Sequence, residues 1–233
     1  VKILLHYNSY RHLDEYALSS QFFNRSEFLK QNADVLVCCN NENLTVEELA
    51  ERCAYQCKTE IVKTTNTGWF SGQFTSLHET HHKFVGYDYV IHFTPDVYIV
   101  DDKPLIRLLT EELHTDNAMI LDYHPYHADC NITYCADFIV FKPSKTPKFF
   151  SIDYPEERNL STEKRLFKRV NKLNIPHRTI CRGVSCIHWQ VDDYGLIHNH
   201  NNDLIRHILQ TGEYPSREIA FSHNNTHTGN SPR

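Results

Sequence analysis

Short apolar runs alternate with stretches of helical period along most of this chain. The runs KILLH (residues 2–6), DVLVCC (34–39), EIVK (60–63), YVIHF (89–93), AMILDY (118–123) and ADFIVFK (136–142) are bounded by polar residues. Runs of that length and β-branched or aromatic content predict strands, several of them covered on both faces. Between them, residues 13–30 carry apolar positions at Tyr16, Ala17, Phe22, Phe23, Phe28 and Leu29, a spacing that predicts a helix. Thr45 followed by Glu48 forms a capping box, which opens a helix running to about Cys57. Further helices are predicted over 73–84, over 103–113 with Pro104 in the first turn, over 161–173 and over 203–210. A short segment at 175–182 and the Trp-containing VSCIHWQVDDYGLIHNHN (184–201) complete the pattern. The alternation predicts an α/β fold, with a mostly parallel central sheet flanked by helices. No repeat, low-complexity tract or linker divides the chain, so one domain is expected over residues 1–210, followed by a polar tail at 211–233.

Composition narrows the classes without naming one. The chain has 233 residues, enough for a substantial core, with 40% hydrophobic and 23% charged residues. A net charge of −5 argues against a nucleic-acid or anionic-membrane binder. No apolar run reaches the ~20 residues of a bilayer span, and the opening VKILL has no signal-peptide pattern. A cytoplasmic, soluble protein is therefore expected, either a monomer or part of a longer multidomain chain. The eight cysteines include no CxxC pair; buried free thiols in a reducing compartment are expected, with one or two disulfides as the rival. Cys53 and Cys57 are placed one helical turn apart. Five Asn-x-Ser/Thr triplets carry little weight in a chain so rich in Asn.

Three places hold candidate chemistry. Pro95 cannot donate to a sheet ladder and biases Thr94 away from helix, so the strand at 89–93 stops there and presents Asp96. A carboxylate beyond the C-terminal end of a central strand lies where open α/β sheets hold ligands. Asn66, Gly68, Ser71 and Gly72 sit between a strand and a helix, where glycine permits close backbone approach and a helix N-terminus favours an anion. As a motif this is neither the dinucleotide fingerprint nor a P-loop. His198 and His200 are two apart, so on an extended segment they share a face; imidazole is a common ligand of Mn²⁺ and Zn²⁺. With Asp96 they would make a carboxylate-imidazole site for a divalent ion that bridges phosphates.

The run NTGWFSGQFTSLHETHHKFVGYDYVIHFTPDVYIVDD (66–102), the later DFIVFKP (137–143) and the late His resemble the nucleotide-sugar half of GT-A glycosyltransferases. More narrowly, they are similar to small glycosyltransferase domains of large algal DNA viruses and of bacteria. The resemblance covers roughly residues 1–205 and implies a single GT-A (Rossmann-like) domain. It implies a metal-assisted, inverting transfer from a nucleoside-diphosphate sugar, with UDP preferred, to a glycan or glycoprotein hydroxyl. Mn²⁺ or Mg²⁺ would sit on Asp96 and on His198 or His200. His6, Tyr7 and Asn8, as the loop after the first strand, would line the base and ribose pocket, and Asn66, Gly68, Ser71, Gly72 and Thr94 the rest of the donor. Thr94-Pro95-Asp96 departs from the usual Asp-x-Asp, so the first metal and ribose contact is in question. The acceptor base implied is Glu163, at a helix start after DFIVFKP, with Asp137 and Asp122 as rivals. Asp192 and Asp193 read as acceptor contacts or turn residues. Trp69, Phe70, Tyr123, Tyr126 and Trp189 are candidates to stack on sugar or base, and the loop with His124 and His127 is a candidate acceptor lid. The competing readings are a zinc-dependent hydrolase and a nucleotide- or carbohydrate-binding domain without catalysis.

Overall fold

The structure, a computed structural model, describes residues 1–9, 13–68, 71–123, 134–152, 154–157, 159–182 and 191–214. Trp69, Phe70, His124, Tyr126, His127 and Trp189 lie outside that set. Nine strands are described: β1 (Ile3–Ser9), β2 (Ala33–Cys39), β3 (Thr59–Lys63), β4 (Tyr89–Phe93), β5 (Val97–Ile99), β6 (Met119–Tyr123), β7 (Tyr134–Phe141), β8 (His177–Ile180) and β9 (Leu196–His198). Seven α-helices accompany them: α1 (Leu13–Phe23), α2 (Glu27–Asn32), α3 (Val46–Arg52), α4 (Gly72–Thr80), α5 (Asp102–Glu112), α6 (Thr162–Lys172) and α7 (Asn202–Thr211).

Seven strands form one sheet in the order β3-β2-β1-β4-β7-β6-β8, in which β7 alone runs against the others. The mostly parallel α/β sheet expected from the buried runs is present. Alternation along β1 sorts the two faces. Ile3, Leu5 and Tyr7 pack with α1, α2, α3 and α5, whereas Leu4 joins Phe74 and Leu77 of α4 and Leu166 and Val170 of α6. The remaining two strands, β5 and β9, make an antiparallel ribbon that pairs Val97 with His198 and Ile99 with Leu196. Its two faces are split by the same period of two. Val97, Ile99 and Leu196 enter the main core, and Tyr98 and Ile197 pack under Leu204, Ile205 and Ile208 of α7.

Several expectations need correction. The helix expected over 13–30 is two helices, because Ser26 caps α2 by accepting from the Leu29 amide. The capping box at Thr45 and Glu48 is present, but α3 ends at Arg52, so Cys57 lies beyond it rather than one helical turn from Cys53. The first strand runs on to Ser9, so His6, Tyr7 and Asn8 belong to β1 and not to a loop. None of the six described cysteines is in a disulfide. Among the described residues no helix is long and apolar enough to cross a membrane.

Candidate metal and nucleotide site

Three chain segments meet beyond the C-terminal end of β4. Phe93 pairs with Phe138 of β7, and the Thr94 amide donates to the Asp137 carbonyl at 3.3 Å. Pro95 then ends the ladder, and Asp96 leads into β5. Because β5 pairs with β9, the Asn199 amide donates to the Asp96 carbonyl at 3.1 Å, which brings His198 and His200 alongside. Two-residue alternation turns His198 to the same side as Leu196, toward the main sheet.

The ribbon depends on Gly195. Its φ is +78°, and a Cβ there would stand 1.8 Å from the Asp101 carbonyl oxygen. That close approach lets the Val100 and Asp101 amides both donate to the Gly195 carbonyl, at 2.9 and 3.1 Å. Asp192 organises the turn before it, accepting from the Tyr194 and Leu196 amides at 2.9 and 3.0 Å. Arg182 holds Asp192 in turn through a buried pair at 2.6 Å. Of the two roles considered for Asp192, the structure gives it that of a turn residue.

The Asp96, His198 and His200 side chains place one potential ligand atom each within 4.8 Å of one another. Asp96 Oδ2 lies 2.8 Å from His200 Nδ1 and 3.5 Å from His198 Nε2. The other ring nitrogen of His198 faces Asp137 Oδ2 at 3.7 Å. Burial works against the Asp96 carboxylate, but hydrogen bonds and charge from His198 and His200 outweigh it and hold this carboxyl well below the ordinary range. His200 is raised above the ordinary imidazole value, first by its hydrogen bond to Asp96. Asp96 is 5% exposed, and its Oδ1 is buried without a hydrogen-bond partner. A buried ionised oxygen with nothing to bond costs several kcal/mol unless a cation meets it, so this donor set fits a divalent ion. Mixed nitrogen and oxygen ligands suit Mn²⁺ and Zn²⁺ better than the all-oxygen preference of Mg²⁺.

A second patch of the same rim carries further unbonded oxygens. Asn8 lies near the C-terminal end of β1, and Asn40 follows β2; the Oδ1 atoms of both are buried and unpartnered, as is Thr94 Oγ1. Gly72, first residue of α4, faces them: a Cβ on it would lie 2.6 Å from Asn40 Nδ2 and 3.9 Å from Asn8 Nδ2. Asn40 was missed in the sequence, although a polar residue directly after a continuously buried strand marks such a rim.

The remaining predicted site residues divide. Asn66 and Gly68 shape the turn before α4: Asn66 Oδ1 accepts from the Gly68 amide at 3.0 Å, and Gly68 has φ +80°. Ser71 is buried and donates its hydroxyl to the Thr67 carbonyl at 2.7 Å. His6 and Tyr7 do not line the rim. His6 is fully buried with His92 and Thr80, and Tyr7 stacks with Tyr55 and Phe93 in the core on the opposite face. Alternation along β1 sends the two side chains into the cores on opposite faces of the sheet. Glu163 stands in the first turn of α6, whose N-cap is Ser161, and α6 packs on β7 and α4. A cavity of about 760 Å³, lined in part by Tyr87, Asp88, Pro143, Lys145 and Phe150, opens at the opposite end of the sheet.

No protein-family profile matches the chain, and no curated protein matches it. Solved structures do. The mannosyltransferase PcManGT from Pyrobaculum calidifontis, in complex with GDP-Man and Mn²⁺, aligns with a TM-score of 0.57 at 10% identity, over 78% of this chain and 55% of that one. TarS residues 1–349 from S. aureus aligns with a TM-score of 0.56 at 15% identity, over 79% and 59%. The same fragment with UDP-GlcNAc gives 0.51 at 13%, over 79% and 57%. The architecture is the GT-A fold of nucleotide-diphospho-sugar glycosyltransferases. At these identities the likeness is one of fold, and the chain spans 55–59% of the length of these structures.

Proposed function

We propose that the chain transfers a sugar from a nucleoside-diphosphate sugar, UDP-linked, to a hydroxyl of a glycan or glycoprotein, with inversion. The observation that carries this reading is the buried, unbonded Asp96 Oδ1 flanked by two imidazoles at the rim of a GT-A sheet. Asp96, His198 and His200 would hold Mn²⁺ (or Mg²⁺), which supplies Lewis-acid stabilisation of the negative charge gathering on the departing diphosphate. Asn8, Asn40 and Thr94 offer unbonded oxygens to donor groups on the nucleoside, and Gly72 leaves room for it. The absence of a first Asp at Thr94 is offset by the two histidines, which restore a three-ligand set. Glu163 is the proposed base that takes the proton from the acceptor hydroxyl as it attacks the anomeric carbon. A cytoplasmic setting and a place within a longer chain belong to the same proposal, as does a domain boundary near residue 210.

One observation favours a second reading. An Asp and two His also suit Zn²⁺ in hydrolases, where a metal-bound water completes the site. Metal analysis of the purified protein, with titration of UDP, GDP and their sugars against Mn²⁺, separates the two. Manganese-dependent release of UDP or GDP from a sugar nucleotide is the expected result. Stoichiometric zinc that survives dialysis, with no nucleotide binding, would overturn the transferase. Tight nucleotide binding with no turnover would leave a binding domain only.

A further inference from the structure

We infer that Asp137 is the positioning residue of His198: its carboxylate faces Nδ1, favours the proton there, and leaves Nε2 free to ligate. This rests on the metal reading of the site, and it removes Asp137 from the candidates for acceptor base.

The argument begins with the ring of His198. It is 5% exposed, and each nitrogen faces a different carboxylate, Asp96 Oδ2 at 3.5 Å from Nε2 and Asp137 Oδ2 at 3.7 Å from Nδ1. A neutral imidazole has one N–H and one lone pair, and only the lone pair can bind a cation. The Nε2 side carries Asp96 Oδ2 and His200 Nδ1, all within the ligand cluster. The Nδ1 side carries Asp137 alone among the described carboxylates. A carboxylate accepts and never donates; with a cation shared by Asp96 Oδ2 and the Nε2 lone pair, the proton of the neutral ring would be on Nδ1, the nitrogen that faces Asp137. A carboxylate behind a ligating histidine also holds the ring plane.

Asp137 is itself held for this task. It sits on β7 next to Phe138, which pairs with Phe93, and its own carbonyl receives the Thr94 amide. The thiol of Cys135 donates to the same Oδ2 at 3.2 Å. One backbone contact therefore fixes Asp137 to the strand that delivers Asp96, so the ligand and the residue that orients its partner move together. An acceptor base needs an oxygen turned toward an incoming hydroxyl. Oδ2 of Asp137 is turned instead toward His198 and Cys135.

The test is titration of Mn²⁺ into the metal-free full chain by calorimetry, with Asp137→Ala, Asp137→Asn, His198→Ala and Asp96→Asn variants whose folding is checked by circular dichroism. Asp137→Ala is expected to weaken Mn²⁺ by about 10- to 100-fold. Asp137→Asn, whose amide oxygen can still face Nδ1–H, is expected to recover most of that loss. Turnover lost in Asp137→Ala should return at saturating Mn²⁺, which a missing base could not do. The inference is overturned if Asp137→Ala binds Mn²⁺ like the parent while His198→Ala does not. It is equally overturned if Asp137→Asn keeps full metal affinity but loses turnover at every Mn²⁺ concentration. Should Asp96→Asn and His198→Ala also leave Mn²⁺ affinity untouched, the metal reading itself is wrong, and that pattern is distinct from the other two. If Asp137→Ala does not fold, the Asn variant alone decides, through its metal affinity and the response of its turnover to Mn²⁺.

Discussion

Two histidine pairs in this protein, His6 with His92 in the core and His198 with His200 at the rim, do opposite things. In the core, His6 Nδ1 lies 2.8 Å from His92 Nδ1, and His6 Nε2 lies 3.1 Å from Thr80 Oγ1. Thr80 donates its hydroxyl to the Ser76 carbonyl at 2.6 Å, and both its oxygen and the Cys38 sulfur, at 3.2 Å, face His6 Nε2. A single proton is shared between the two Nδ1 atoms, and burial keeps both rings neutral. At the rim, His198 and His200 face the carboxylates of Asp96 and Asp137. What separates structure from site is the carboxylate, together with an oxygen that has nothing to bond. Burial alone does not: both His6 and His92 are 0% exposed, more buried than His198.

The sharpest way to break this contrast is to alter each pair and measure Mn²⁺ binding. Asp96→Asn is expected to abolish manganese affinity and to lower donor turnover by about 1,000-fold, roughly 4 kcal/mol of transition-state stabilisation. His92→Gln should leave manganese affinity unchanged, whatever it does to stability. Equal losses in the two variants, read by calorimetry, would erase the distinction.

Acid should separate the pairs by sign. Burial lowers His92 to about 3 and, with the charge of His92, takes His6 well below its ordinary value. Native imidazoles that stay neutral while unfolded ones protonate lose stability as pH falls below about 6.5, by about 1.4 kcal/mol per pH unit for each ring. For His92 that is about 2 kcal/mol between pH 6.5 and pH 5, ending only near its folded value, and His6 acts in the same direction. His200 is raised, so its contribution is present below about 6.5 and is lost as pH rises through its folded value. Urea melts of metal-free protein across this range should show stability falling on acidification, a flatter slope in a His6→Leu/His92→Leu variant, and a steeper one in His200→Ala. A parent whose stability rises toward pH 5 would contradict the neutral core pair.

Much of this was legible in the sequence, and the failures have a common cause. Strands buried on both faces announce themselves as continuous apolar runs, so the order of β2, β4, β6 and β7 was readable. Pro95 made the end of β4, and hence Asp96, readable too. The β5–β9 ribbon was not, because three-residue strands separated by about a hundred positions leave no periodicity. Asp96 and His198 could be joined only through ligand chemistry and the family resemblance, and without the ribbon nothing in the chain places Asp137 behind the His198 ring. His6 was placed with the following loop for the reverse reason: KILLH was stopped three residues short of the end of β1, whereas a fully covered strand tolerates a histidine that finds Thr80 and His92.

Glycine substitutions give the same contrast at smaller amplitude. Gly195→Ala combines φ +78° with a Cβ 1.8 Å from backbone oxygen that cannot rotate away. It should cost about 3 kcal/mol or more in a urea melt, by splaying the ribbon that carries His198.

Gly72→Ala is the milder case, and the more discriminating one. Its Cβ would meet Asn40 Nδ2 at 2.6 Å, but that is the end of a side chain that can turn, and Gly72 has no left-handed backbone to strain. Alanine in place of glycine at a helix start recovers up to about 1 kcal/mol of backbone entropy, which offsets the displaced amide. Stability should therefore stay within about 0.5 kcal/mol of the parent. Asn40 Oδ1, however, cannot keep its place when its amide turns, and a lost hydrogen bond of about 1 kcal/mol lowers nucleotide affinity about fivefold. Mn²⁺ affinity without nucleotide should not move, since none of the three ligands touches Gly72. A Gly72→Ala variant that melts early but binds UDP normally would make this corner of the rim a packing contact, and would leave the metal cluster as the only functional part of it.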